Sequence, residues 1–506
     1  MADEFVPLAL FLRPAVGEPA PERTPAAAPP PIEIALHSPE HEEAVRAARR
    51  FRAALPDALD AALQELLRRI ASEVLARELR LGGADLATIV SSAFDRLAGE
   101  RIISVRAHPQ DCAALAALPI EGVPDNSLTP GDVRLELQWG TIDLTLEARL
   151  DAALAAWAGV TATTRPLGTC AFGRAIDAYG VPLDRGPLLR GPMARIELRS
   201  PRPDDRVSLA TPLWTGIRVI DGLLTIGRGA RIGLFGAPGA GKTTLIEATV
   251  AGCAADAVVV ALVGERGREA QRWIERRNDW MTVVCATSDR PPRERVMAAH
   301  VAAAQAGALR DRGLHGLLVL DSLARFSGAL REIAIAAGES AGRGGFPPSV
   351  FAQMACLVEV AGATEHGSIT LIATVINDGD DRDPVSEAAR SLLDGHVVLS
   401  PRLAAAGRFP AVDVPASASR TMDAVTDASH LRAARRVRRA LALLERIEDA
   451  RAVGIEPADR AARAAIVNEN RIETFLRQGA TASACDATLS ELAELAALLD
   501  DVDEDR

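Results

Sequence analysis

Apolar positions along this chain fall into two regimes. Over residues 39–80 they recur every three or four positions, with Leu59, Leu63, Leu66, Leu67, Ile70 and Val74 on one stripe, which predicts a long amphipathic helix. Ser38-Pro39 followed by Glu40, Glu42 and Glu43 marks its start: an N-cap hydroxyl, a proline in the first turn, and acids at the positive end of the helix dipole. Gly82-Gly83 ends the pattern, and a second helix is expected through Ile89, Val90, Phe94 and Leu97. Ile102–Val105 and Val133–Trp139 read as strands, the second with strict alternation, and Leu144–Trp157 reads as a closing helix. Near Arg165 the texture changes to short continuous apolar runs. Five of them, Ile232–Phe235, Val258–Val263, Thr282–Ala286, Leu317–Leu320 and Ile369–Val375, predict the strands of a parallel sheet, with room for a crossover helix between each pair. From about Asp423 onward the pattern is helical again, ending in the acids Asp500–Asp503.

The expected organisation is therefore a proline- and alanine-rich, disordered tail over 1–37 (Pro14, Pro19, Pro21, Pro25, Pro29, Pro30, Pro31), a small α+β unit over 38–158, an α/β core over 159–422 and a helical domain over 423–506. Apolar residues make up 48% and aromatics only 3%, which favours helical and α/β architecture over a β-sandwich. No apolar run approaches the length of a membrane span and no signal peptide is legible. The six cysteines are scattered without a C-x-x-C pair, so neither a disulfide framework nor a zinc site is expected and a reducing cytoplasm fits. A net charge of −11 argues against an extended nucleic-acid surface.

Composition changes the picture most at one residue. Of 57 lysines and arginines, the only lysine is Lys242. It stands in Gly236-Ala237-Pro238-Gly239-Ala240-Gly241-Lys242-Thr243, a complete G-x-x-x-x-G-K-[ST] phosphate loop. A compact ammonium fits inside such a loop where a planar guanidinium does not, so a chain that otherwise uses arginine keeps lysine here. The strand Arg231–Phe235 before the loop and the helix expected over Thr243–Ala255 after it provide the backbone N–H groups and the helix N-terminus that hold phosphates. Gly236, Gly239, Gly241, Lys242, Thr243 and Thr244 are the expected nucleotide contacts. The second strand of the sheet ends in Glu265, at the crevice mouth where open α/β sheets bind ligands, placed to polarise an attacking water. The fourth ends in Asp321, expected to support a magnesium ion, a role in which the resemblance described below joins Thr243 to it.

Taken together, Gly222–Gly229, Val263–Glu269, Asp321-Ser322-Leu323-Ala324-Arg325-Phe326 and Leu393–Ser400 resemble the ATPase of bacterial type III secretion and flagellar export, a relative of the catalytic subunits of rotary F- and V-type ATPases. The resemblance runs from about Arg165 to the C-terminus. It implies a RecA-like core, ATP and Mg2+ as cofactors, and a ring of copies of this chain, hexameric in the family. It implies that Arg266 lies near the γ-phosphate, that Phe409 stacks on adenine, and that Arg420 reaches the nucleotide of a neighbouring subunit. It also implies the partners: stalk, sorting-platform and gate components, secretion substrates and their chaperones, with no nucleic acid, at the cytoplasmic face of the inner membrane. Upstream, Ile103–Asp111, Gly131–Glu136 and Gly140–Leu150 resemble the C-terminal domain of the export stator, the regulator that binds the ATPase.

Two departures stand out. The small β-barrel that begins the family's ATPases is missing, because Trp157 and Arg165 are joined by a connection of only about eight residues, roughly 25–30 Å at most. Gly454-Ile455 stands where the family usually has an aromatic after the glycine. The expectation is a fusion of a stator-like unit with an export ATPase. A nucleotide-binding assembly scaffold with little hydrolysis, another rotary-type ATPase subunit and a nucleic-acid motor remain as alternatives.

Overall fold

The computed structural model describes residues 39–149 and 164–499, apart from positions 83–84, 97–101, 117, 119, 121, 138–139, 377–382, 449–450, 452–456, 458 and 480. The proline-rich tail, Ser38, the expected closing helix from position 150 on, the connection that follows it as far as position 163, Gly454-Ile455 and the acidic end lie outside these residues. Residues up to Val45 group as one unit and residues 46–506 as another.

The first helix, α1, runs from Pro39 to Gly82 and carries Pro56 in its interior. Its apolar stripe is exposed: Leu59, Leu63, Leu66 and Ile70 each keep half or more of their surface open. After α2 (Leu86–Arg96) come β1 (Ile102–Ala107), β2 (Gly122–Pro124), β3 (Val133–Leu137) and β4 (Gly140–Asp143), a sheet in the order β2-β1-β3-β4. The alternation of β3 sends Val133 and Leu135 into a small core with Leu86, Val90, Val105, Ala107 and Leu115. On the other face, Glu136 accepts from Ser104 Oγ at 2.7 Å and from Arg106 Nε at 2.6 Å.

The larger sheet is assembled from β5 (Arg174–Asp177), β6 (Arg231–Gly236), β7 (Ala257–Glu265), β8 (Met281–Thr287), β9 (His315–Asp321), β10 (Ser368–Ile376), β11 (Gly395–Leu399) and β12 (Val412–Ser419). Its order is β12-β11-β6-β10-β9-β7-β8-β5, parallel except for β12 on the edge and a short antiparallel strand, Gly362–Ala363, on β10. The connecting helices include α3 (Lys242–Gly252), α4 (Gly267–Arg276), α5 (Pro292–Asp311) and α6 (Leu323–Ala336). Successive strand residues point to opposite faces. On one face Ile232, Leu234, Val258, Val260, Leu262, Leu317 and Val319 pack toward the C-terminal helices α7 (Ala428–Arg446), α8 (Arg460–Val467), α9 (Glu469–Leu476) and α10 (Cys485–Leu498), through Val437, Leu441, Phe475 and Leu492. On the other, Val259, Ala261, Val263, Leu318 and Leu320 pack against the alanine-rich α5 and Phe326 of α6. Burying one valine contributes about 1.5–3 kcal/mol, against roughly 0–1 kcal/mol for an exposed ion pair. The strands therefore dominate the energetics.

All five predicted strands are present. β11 and β12 have no clear sequence signal: β11 opens with Gly395-His396, and β12 holds Pro415, which an edge strand tolerates because it need not donate on its outer side. Among the described residues no closed barrel precedes the core. Between Thr164 and Arg195 the β structure is β5 and a two-stranded ribbon pairing 164–166 with 193–195.

Candidate active site

β6 ends at Gly236 and α3 begins at Lys242, so the phosphate loop spans the gap at the strand's C-terminal end. Gly239 and Gly241 adopt φ of +81° and +93°. A Cβ on either would meet no atom within 4 Å, so backbone conformation and not crowding reserves both positions for glycine. Lys242 Nζ donates to the carbonyls of Gly236 at 2.6 Å and Ala237 at 2.8 Å. The loop's own backbone thus holds the ammonium through these two carbonyls. Thr243 is half-buried beside it, and Thr244 is exposed.

The two carboxylates arrive at the same edge of the sheet. β7 and β9 are paired with Leu262 opposite Asp321, so Glu265 and Asp321 both lie at the strand-end edge where the loop also stands, with β10 between β9 and the loop's strand β6. Glu265 is re-aimed by a bulge: the register of β7 against β8 shifts between Val263 and Glu265, and Gly264 takes φ of +71°. The Glu265 side chain is buried and paired with the Arg325 guanidinium from the start of α6. A Cβ on Gly264 would stand 3.2 Å from Arg325 Cδ, so glycine permits this approach. Ser322 caps α6, its Oγ accepting from Arg325 N at 3.2 Å. Asp321 is also buried, and burial raises its carboxyl above the usual range, opposed by the Thr374 hydroxyl donating at 2.7 Å and by Lys242. Arg325 and Thr374 had no role assigned from the sequence. Arg325 was legible as the arginine four residues after Asp321, whereas Thr374 lies inside an apolar strand and only the pairing of β9 with β10 reveals it.

Beyond the loop lies a cavity of about 470 Å³ with an apolar wall that includes Ala240, Leu245, Ala248, Leu399, Phe409 and Pro410. Phe409 is 56% exposed, too open for core packing, and lines the cavity. Gln478, between α9 and α10, closes another side; its N–H donates to the Phe409 carbonyl at 2.8 Å, and its amide bonds to Gly216 O at 2.7 Å. The Thr215–Gly216 turn is held in turn by buried Asp221, which accepts from Thr215 N, Thr215 Oγ and Gly216 N at 2.7–2.9 Å. Removing the ring by Phe409→Ala is expected to raise KM for ATP about five- to a hundredfold, the range of one lost base–aromatic stack, with kcat within about twofold of wild type. Steady-state kinetics check this; an unchanged KM with a fallen kcat would remove Phe409 from the base site.

Arg266 follows Glu265 directly and is exposed at the start of α4. Arg420 is not brought to the loop. It follows β12, which runs antiparallel to β11, and its N–H donates to the Asp394 carbonyl at 2.9 Å. Asp394 in turn accepts from Arg231 at the start of β6. Arg420 therefore stands exposed at the strand-start edge, about 20 Å from the loop by the length of β6.

Known protein families match this chain in three segments. Residues 216–419 match the nucleotide-binding domain of the ATP synthase alpha/beta family, residues 426–494 the T3SS EscN ATPase C-terminal domain, and residues 40–153 the flagellar assembly protein FliH. The chain is 44% identical over 340 residues to a type 3 secretion system ATPase of Sinorhizobium fredii, covering 65% of this chain and 75% of that protein. It is 42% identical over 325 residues to a flagellum-specific ATP synthase of Salmonella typhimurium, covering 62% of this chain and 71% of that one. Among solved structures it resembles the assembled ATPase EscN of the enteropathogenic E. coli type III secretion system, with a TM-score of 0.63 and 38% identity, covering 66% of this chain and 83% of that one. A second resemblance, at TM-score 0.62 and 38% identity over 66% of this chain and 83% of that one, is to EscN in complex with its central stalk EscO.

Proposed function

The chain belongs to the ATPase family of type III secretion and flagellar export, and on that premise we propose that it hydrolyses Mg·ATP to drive the release or unfolding of proteins for export, with a stator-like unit fused to its own N-terminus. The observation that carries this is the placing of Lys242, Glu265 and Asp321 at one edge of the sheet, with an apolar cavity lined by Thr244 and Phe409 beside the loop. Glu265 accepts a hydrogen bond from the attacking water, and Arg325 fixes the carboxylate that does so. Lys242 leaves its two carbonyl partners for the β- and γ-phosphates, neutralising charge as the terminal phosphoryl group departs. Arg266 stands next to Glu265, toward the γ-phosphate.

The donors fit a hard divalent cation. Among the described residues no group of three acids, histidines or cysteines could hold a metal by itself. Mg2+ binds through one or two protein oxygens and the substrate's phosphates, and the Thr243 hydroxyl and Asp321 carboxylate are oxygen donors of that kind. Thr243 Oγ and Asp321 would hold it, and when bound it supplies charge stabilisation at the phosphate oxygens. The expected result is phosphate release from ATP that requires Mg2+ and stops in EDTA. Tight ATP binding with no hydrolysis at any Mg2+ or protein concentration would favour the assembly-scaffold reading.

The proposed assembly is a hexamer-type ring, with stalk, sorting-platform and gate components, chaperones and substrates as partners. The proposed place is the cytoplasmic face of the inner membrane. Among the described residues no helix is long and apolar enough to cross a membrane.

A further inference from the structure

An amphipathic helix ordinarily turns its apolar face to the protein. Within residues 46–506, α1 does the reverse. Its exposed stripe of Leu55, Leu59, Leu63 and Leu66 faces away, while Arg50, Ala53, Asp57 and Glu65, spaced by three, four and eight residues, form the face that meets the core. Ala53 is buried in the larger sheet's hydrophobic cluster. Arg50 Nε donates to the Asp256 carbonyl at 2.6 Å, and its guanidinium lies 4.5 Å over the Trp280 ring. Arg49 pairs with Asp256 at 3.5 Å, and Glu65 with Arg190 at 2.8 Å.

The centre of this contact is Asp57, whose side chain is only 5% exposed. A buried carboxylate is costly unless its lone pairs are satisfied. Here Oδ2 accepts from Thr169 N at 2.8 Å and Thr169 Oγ at 2.5 Å, and Oδ1 from Arg312 Nε at 2.9 Å and Nη2 at 2.7 Å. Gly168 completes the receptor. With φ of +110°, its backbone is held by the buried Gln305 amide, which accepts from Gly168 N at 2.7 Å and donates to Gly168 O at 2.8 Å. A Cβ on Gly168 would stand 2.8 Å from Arg312 Cζ and 2.9 Å from Asp57 Oδ2. The missing side chain is therefore what lets carboxylate and guanidinium meet.

We infer that Gly168, Thr169 and Arg312 form a carboxylate receptor on the catalytic core, and that Asp57 of the same chain is the latch that seats the stator-like unit's leading helix on it. The seat lies at the strand-start edge of the sheet. Asp256 precedes β7, Trp280 precedes β8, and Arg312 precedes β9, so the helix bears on the opposite edge from Glu265 and Asp321. The latch therefore acts on how the fused unit is carried, with no atom of the helix needed for the chemistry.

Hydrogen exchange on the purified full-length chain tests this. Asp57→Asn is expected to speed exchange at least about tenfold in residues 46–62 and 168–172 while leaving residues 236–244 unchanged. Asp60→Asn, the same charge change at an exposed position on the helix, is expected to change neither. Arg312→Gln should reproduce the effect, and the double variant should add little, since both break one contact. Should Asp57→Asn unfold the whole chain, Arg50→Ala removes a half-buried anchor and is expected to speed exchange of 46–62 several-fold. Exchange in 46–62 already at the rate of an undocked helix, or unmoved by both Asp57→Asn and Arg50→Ala, would overturn the latch. Restored protection on mixing Asp57→Asn with Arg312→Gln chains would overturn the same-chain assignment, because the helix would then be seated on a neighbouring copy.

Discussion

Lys242→Arg, which keeps the charge, is expected to lower ATP turnover about a hundredfold or more, the usual consequence of removing one well-placed donor from a developing anion. The ammonium now sits within 2.6–2.8 Å of two loop carbonyls, inside a turn that Gly239 and Gly241 close tightly. A guanidinium brings a planar fork and a longer reach to a space shaped for a compact charge. The residue is half-buried at the first position of α3, so the fold should survive, and a melting temperature close to wild type is part of the expectation. Turnover within threefold of wild type in the arginine variant would mean that positive charge alone suffices, and that the single lysine of this chain has another explanation.

The second large effect is expected at Arg420. An arginine that stabilises the transferring phosphoryl group contributes about 10³–10⁵ in kcat, so Arg420→Ala should reduce turnover roughly a thousandfold with ATP binding retained. The geometry restricts how this can happen. Arg420 stands beside Asp394 and the start of β6, at the other end of the strand from its own loop. From there it would serve the nucleotide of another copy and not its own, so wild-type turnover per chain should rise with protein concentration. Constant specific activity over the range where light scattering shows assembly would remove Arg420 from the site.

The parts legible in the sequence are those with a local cause. The phosphate loop is a contiguous run whose glycines and lysine each meet a local demand, and the five buried strands are continuous apolar runs flanked by loop residues. Glu265 and Asp321 were legible because each ends such a run. What escaped depends on pairing at long range. β11 finds its place only by adding to β6 and β12 only by adding to β11, and Thr374 gains its role from the strand beside it. Gln478 reaches the base cavity from the C-terminal helices. The seating of α1 escaped for a different reason: periodicity pointed to the apolar stripe, whereas the face that docks is built of Arg50, Ala53, Asp57 and Glu65, whose partners lie more than a hundred positions along the chain.

A mixing measurement decides whether this chain is an ATP hydrolase whose site is completed by its neighbour. Arg420→Ala and Lys242→Ala chains, each inactive alone, are combined in equal amounts and allowed to exchange before phosphate release is followed. In a ring of head-to-tail contacts, about a quarter of the interfaces would then pair an intact loop with an intact arginine. Turnover should recover to a corresponding fraction of wild type. No recovery, from chains shown to have assembled together, would contradict the shared site.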